Sequence, residues 1–109
     1  MSEEETGESS RRDRERRKHH PLVQILRAIR KQHTLNQLEI EMCMKLTQDK
    51  LKHIEDGRDY LPGLQSGASE DIGRWLQKWM ECVHVSIKER EEIEETLMNV
   101  VLGHFGEAL

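Results

Sequence analysis

Aromatic residues are scarce in this sequence of 109 residues, which contains one Phe, one Tyr and two Trp. Hydrophobic residues make up only 35% of it, so a single domain, with or without a tail, can form only a thin core. We therefore expect the chain to bury further apolar surface against a second copy. No apolar run approaches the roughly 20 residues that span a bilayer, and the polar N-terminus is unlike a secretory signal. These two absences predict a cytoplasmic protein with no membrane partner.

The residue patterns of most catalytic and metal sites are also missing. Cys43 and Cys82 form neither a CxxC motif nor a metal-ligand pattern. We interpret them as reduced thiols, with a single disulfide as the alternative. The six histidines are scattered, no Ser/His/Asp or Cys/His spacing places a nucleophile beside a base, and no glycine-rich loop suits a phosphate. The sequence therefore predicts no enzyme, no metal site and no cofactor.

The net charge of −4 is distributed unevenly. Ser9–His20 has six Arg or Lys against two acids, Pro21–Leu61 has seven against six, and Pro62–Leu109 has four against nine. The acidic excess lies in the C-terminal half, so a DNA-binding surface remains electrostatically reasonable in the N-terminal half. Residues 1–19 contain no large apolar residue beyond Met1, which predicts a disordered, charged arm. Its basic part either contacts DNA or is simply solvated.

Residues 20–62 have the periodicity of three short helices. The first begins at Pro21, which suits the first turn of a helix. Its apolar residues recur at spacings of three and four: Leu22, Ile25, Leu26 and Ile29. Asn36 and Glu39 have the spacing of a capping box, which places the second helix at about 37–44.

The third helix is expected at about 48–56. Thr47 is its predicted N-cap, and Gly57 supplies a C-terminal stop. Leu51 and Ile54 point toward one side of this helix, and its polar residues point elsewhere. Those polar residues are Gln48, Asp49, Lys52 and His53.

Residues 63–109 are expected to add two helices, at about 69–83 and 86–102, the second behind a capping box of Ser86 and Glu89. The first of them has a strong apolar stripe: Ile72, Trp75, Leu76, Trp79, Met80 and Val83. The second is apolar on more than one side, which predicts a homodimer built from these two C-terminal helices. Its candidate anchors are Trp75, Trp79, Leu97 and Val101, and the alternative is that the Trp residues belong to the core of one chain.

In residues 22–62 the chain resembles the lambda-repressor/Cro-like family of helix-turn-helix proteins, also called the XRE family. The matching motifs occur in one register without an insertion: Leu26, Ile29, Arg30, LNQ at 35–37, Glu39, Ile40, Thr47, Gln48, Leu51 and IEDG at 54–57. The resemblance implies an all-α bundle of about five helices, with a helix-turn-helix DNA-binding region at 20–62. It also implies a nucleoid-associated transcriptional regulator that binds an inverted-repeat operator in double-stranded DNA as a homodimer. Residues 63–109 would complete the core and mediate dimerisation.

A helix fits the major groove of DNA, and its N-terminal side chains reach the base edges. By resemblance, Gln37 contacts a phosphate, and Thr47 both caps the recognition helix and faces the DNA backbone. The predicted DNA-binding residues are Gln37, Thr47, Gln48, Asp49, Lys50, Lys52 and His53. For each, the alternative is an ordinary exposed helix position. Arg30 and Glu55 resemble the buried structural ion pair of the family, and the alternative is two unconnected surface charges.

Three residues depart from the family pattern. Glu41 stands where members usually have a small residue, and Lys45 stands where they usually have a glycine in a left-handed turn. Lys can adopt that conformation at a cost of about 1 kcal/mol. Asp49 directs a negative charge toward phosphates. These departures indicate either a divergent member with altered helix spacing or a helix-turn-helix fold that has turned to protein binding, as a protein-interaction module or antitoxin-like adaptor.

Overall fold

The computed structural model of the chain describes residues 3–64 and 69–102. These residues form α-helices and no strand, as the sequence predicts. The helices are α1 Glu3–Lys18, α2 Pro21–Gln32, α3 Gln37–Met44, α4 Lys50–Glu55, α5 Ser69–Val83 and α6 Ile87–Val101. Within these ranges, no helix is long and apolar enough to cross a membrane. The end of the predicted dimerisation region, 103–109, lies outside the described residues.

Local capping explains why several helices begin where the sequence predicts. Asn36 accepts a hydrogen bond from the backbone N–H of Glu39 at 2.8 Å, and the Glu39 carboxylate accepts one from the N–H of Asn36. Ser86 and Glu89 form the same reciprocal pair at the start of α6. Each box satisfies two backbone donors that have no partner inside the helix, so the predicted capping boxes are confirmed.

Buried residues of α2 to α6 form the core, in which α2 packs against α6, α3 against α5, and α4 against α2 and α3. The prediction that Trp75 and Trp79 anchor a dimer is wrong. They are only 9% and 0% exposed, because both belong to the buried apolar core of one chain. Leu97 is half-buried against this core, whereas Val101 is 51% exposed. Of the four predicted anchors, only Val101 lies largely on the surface.

Cys43 and Cys82 form a disulfide that joins α3 to α5, so their interpretation as reduced thiols is wrong. Their Cα atoms are 5.9 Å apart because α3 packs against α5 near the end of each helix. The sequence does not reveal this proximity, because the two cysteines are 39 positions apart. Cys43 is exposed and Cys82 is half-buried.

The N-terminal segment is not the disordered arm that the sequence predicts, since Glu3–Lys18 forms α1. This helix is held by cations rather than by apolar contacts. Arg14 Nε donates to the carbonyl oxygen of Asp56 at 3.1 Å, and Arg17 Nε donates to that of Gly57 at 2.7 Å. The Arg17 guanidinium also lies 4.7 Å from the centre of the Tyr60 ring. These carbonyls follow the C-terminal end of α4, where the helix dipole favours positive charge.

Candidate nucleic-acid interface

The helix pair α3–α4 is joined by a five-residue turn. Lys45 ends α3 in the left-handed conformation, at φ 58°. Asp49 is also left-handed, at φ 65°, and therefore α4 begins at Lys50, two residues later than predicted. The prediction that Thr47 is the N-cap of this helix is wrong. Asp49 is the N-cap, and its side chain makes no capping hydrogen bond.

The side chain of Glu41, on α3, caps the N-terminal end of α4 in place of the Asp49 side chain. Its carboxylate accepts from the backbone N–H of Leu51 at 2.8 Å and from those of Asp49 and Lys52 at 3.3 Å. The residue is only 3% exposed. A buried carboxylate at a helix N-terminus satisfies otherwise unpaired donors and interacts favourably with the helix dipole. Glu41 thus couples α3 to the start of α4.

Two buried apolar residues and one ion pair fix the inner side of α4. Leu51 and Ile54 are each 1% exposed. Arg30 Nε and Nη2 donate to the two oxygens of Glu55 at 2.8 and 2.7 Å, so the predicted pair has a bidentate geometry. Gln37 Nε2 donates to Glu55 Oε1 at 2.9 Å. This bond directs Gln37 to Glu55, although the amide retains a second hydrogen.

The other predicted contact residues lie along the outer side of the turn and of α4. Thr47, Gln48, Asp49 and Lys52 are exposed, and His53 is half-buried. Lys50 is half-buried because its Nζ donates to the Asp59 carboxylate. The outer surface therefore combines amide, hydroxyl and cationic groups with one exposed carboxylate. Such a mixture can donate to phosphates and can both donate to and accept from base edges.

The segment that follows α4 contributes charged residues that the sequence analysis did not single out. Arg58 is exposed, and Asp59 accepts from Lys50 through one oxygen and from the N–H of Tyr60 through the other, at 2.8 Å. Burial opposes ionisation of Asp59, but these two hydrogen bonds and the charge of Lys50 outweigh it and lower the pKa of Asp59 below its ordinary value. Asp59 is consequently an anion that neutralises a cation of α4.

The sequence singled out Glu41 only as a departure from the family pattern and not as the cap of α4, although one signal for that role was present. Glu41 lies between Ile40 and Met44 on the side of α3 that enters the core, where an unpaired carboxylate would be costly. An acid on a buried face needs donors, and the start of the next helix supplies them. Asp59 gave no comparable signal, because its contact with Lys50 depends on how the chain turns after Gly57.

Comparison of the chain with known protein families, curated proteins and solved structures finds no match. The function is therefore inferred from the geometry of the α3–α4 pair and from the charges around it.

Proposed function

We propose that this chain is a sequence-specific DNA-binding transcriptional regulator, in which α3 and α4 act as a helix-turn-helix of the lambda-repressor/Cro-like type. One observation carries the proposal. The polar residues from Thr47 to Lys52 face outward, whereas Leu51 and Ile54 hold α4 to the body of the protein. A short helix fixed on its inner side and polar on its outer side suits insertion into the major groove.

The residues around the start of α4 have distinct roles in this proposal. The Gln48 amide pairs with adenine through one donor and one acceptor, and Asp49 accepts from the amino group of cytosine. Lys52 binds a phosphate or a guanine, and Thr47 donates to the DNA backbone. Gln37 uses its second amide hydrogen to reach a phosphate while its first remains on Glu55. Lys50 and His53 contribute positive or donor groups at the edge of the contact.

The regulator acts as a homodimer in this proposal, with the surface of α6 as the interface. Met98, Val101 and Leu102 are 57%, 51% and 62% exposed and lie together at the C-terminal end of α6. They replace Trp75 and Trp79, which the core of one chain buries. A twofold arrangement that places two α4 helices about 34 Å apart selects an inverted-repeat operator. Light scattering at tens of micromolar that shows a strict monomer would contradict this interface.

Selection of bound duplexes from a random pool tests the function. We expect an inverted repeat to emerge, bound at least about a thousandfold more tightly than random duplexes, with log affinity falling linearly against log salt. Gln48→Ala should relax preference at one base pair, whereas Lys52→Ala should weaken binding to all sequences if Lys52 contacts a phosphate. An equal loss on every sequence from Gln48→Ala would argue against base recognition.

A protein-interaction module, such as an antitoxin-like adaptor, is the second candidate function. It is favoured by Leu38 and Met42, which are 54% and 71% exposed one turn apart on α3. The negative charge of Asp49 beside α4 also suits a protein partner better than phosphate. The selection separates the two candidates, since an interaction module should enrich no duplex sequence.

A further inference from the structure

The ion pair between Lys50 and Asp59 lies on the surface that we assign to DNA. Lys50 is the first residue of α4, and Asp59 lies in the segment after that helix. Their side chains are 30% and 38% exposed, so solvent and ions reach the pair. The contact therefore pairs the Lys50 ammonium group with a carboxylate and leaves that group accessible at the surface.

Asp59 is held in position by the backbone as well as by Lys50. Its Oδ1 accepts from the N–H of Tyr60 at 2.8 Å, and its own N–H lies 3.2 Å from the carbonyl oxygen of His53. These bonds orient the carboxylate, which leaves Oδ2 to accept from Lys50. The flexible partner is the lysine side chain, which can exchange one anionic oxygen for another.

The neighbouring cations are not engaged in this way. Lys52 and Arg58 are exposed, and neither forms an ion pair among the residues that the structure describes. Lys50 thus differs from Lys52 and Arg58 in having a carboxylate where a phosphate oxygen would bind. A carboxylate and a phosphate offer the same charge-assisted acceptor to an ammonium group.

We infer that Asp59 is an intramolecular competitor for Lys50, and that a backbone phosphate of bound DNA displaces it. This inference rests on the proposed function and adds to it a residue that sets affinity. Before Lys50 contacts phosphate, it must leave Asp59, and the free carboxylate then repels the DNA backbone. Asp59 accordingly weakens binding to every sequence and reduces the number of phosphate contacts that the salt dependence reports.

Asp59→Asn removes the competing charge while its amide oxygen can still accept from Tyr60. An exposed ion pair of this kind changes an equilibrium constant by about two- to fivefold. We expect the variant to bind a random-sequence duplex about two- to fivefold more tightly at low salt. The slope of log affinity against log salt should steepen by up to about 0.9, which corresponds to one additional phosphate contact.

The experiment measures binding of a fluorescent random-sequence duplex by anisotropy over a salt series. The matched control is Asp71→Asn, which removes an exposed carboxylate that pairs with Arg74 on α5. It should change neither affinity nor slope. Lys50→Ala and Lys50→Ala/Asp59→Asn complete a double-mutant cycle, in which Asp59→Asn should lose most of its effect when Lys50 is absent. Circular dichroism of each variant verifies that the helices are intact.

The outcomes distinguish failure of this inference from failure of the proposed function. Wild-type binding with no gain in Asp59→Asn over the Asp71→Asn control overturns the inference and leaves the function standing. An equal gain with and without Lys50 also overturns it, because the effect would then reflect net charge alone. Failure of both the wild-type chain and Asp59→Asn to bind any duplex contradicts the proposed function and the inference together.

Discussion

At the scale of single residues, the Glu41 carboxylate accepts three backbone N–H groups at the start of α4. Glu41→Ala leaves these donors without their acceptor, and the N–H of Leu51 among them is buried. We expect the free energy of unfolding to fall by about 2–3 kcal/mol. Glu41→Gln should cost less, because one amide oxygen remains to accept. Urea unfolding of the two variants measures the difference.

Glu91→Ala is the control for Glu41→Ala, since Glu91 is an exposed acid on α6. It should change the free energy of unfolding by no more than about 0.5 kcal/mol. A loss from Glu41→Ala as small as that from Glu91→Ala would mean that solvent or another group caps α4.

His20 makes stability depend on pH. It is 5% exposed, its Nδ1 accepts from the N–H of Leu22 at the start of α2, and burial lowers the pKa of His20 below 6.5. As pH falls below about 6.5, the unfolded chain gains a proton at His20 that the folded chain does not take up. The free energy of unfolding should therefore decrease between pH 7 and 5.5. Urea unfolding across that range measures the slope.

His20→Asn keeps an acceptor at the N-cap and removes the titrating group. The slope of the free energy of unfolding against pH should become flatter in this variant. His19→Asn changes an exposed neighbour and is the matched control. A slope that His20→Asn leaves unchanged would assign the pH dependence to other groups.

At the scale of helices, the sequence predicted those whose signals are local. Asn36 with Glu39 and Ser86 with Glu89 define helix starts within four residues, and α3 occupies the residues that its capping box indicated. The start of α4 was misplaced because its cap, Glu41, belongs to another helix. The helix α1 was missed for the same reason, since its anchors are carbonyl groups about 40 residues away.

The contact between α1 and α4 should fail when Gly57 gains a side chain. A Cβ at Gly57 would lie 2.1 Å from the carbonyl oxygen of Arg14, and its φ of 79° is unfavourable for other residues. Gly57→Ala should detach α1 and lower the free energy of unfolding by more than about 1 kcal/mol. Hydrogen exchange of the α1 amides, which should lose protection, checks the local effect.

Gly73→Ala is the opposite case on α5. A Cβ at Gly73 meets no atom within 4 Å, and alanine favours a helix interior. This variant should gain about 0.5–1 kcal/mol of stability. For Gly57→Ala, in contrast, hydrogen-exchange protection of the α1 amides equal to that in the wild-type chain would contradict the contact between α1 and α4.

At the scale of the whole molecule, the disulfide links α3, which caps α4, to the core helix α5. It closes a loop of about 40 residues, since its cysteines are 39 positions apart. Reduction should lower the free energy of unfolding by about 4 kcal/mol in the chain-entropy account. Urea unfolding with and without dithiothreitol measures this change. The Cys43→Ser/Cys82→Ser variant should resemble the reduced chain and should not respond to dithiothreitol.

The candidate interface was predictable in its outline and not in its electrostatics. The spacing of Leu51 and Ile54 indicated which side of α4 is buried. Thr47, Gln48 and Asp49 are exposed, as that spacing requires. The partners of Gln37 and Lys50 depend on tertiary contacts with Glu55 and Asp59, which no local pattern reveals. Long-range polar contacts therefore determine which of the predicted donors remain available in the proposed interface.

Amide chemical shifts of the ¹⁵N-labelled chain, titrated with the duplex that selection yields, test the central claim most directly. We predict that the largest changes fall on residues 47–53, with smaller changes at Gln37 and Arg58. The amides of Leu38 and Met42, on the exposed apolar side of α3, should move less. Unchanged shifts at 47–53, or changes confined to that side of α3, would contradict the assignment of α4 to the major groove.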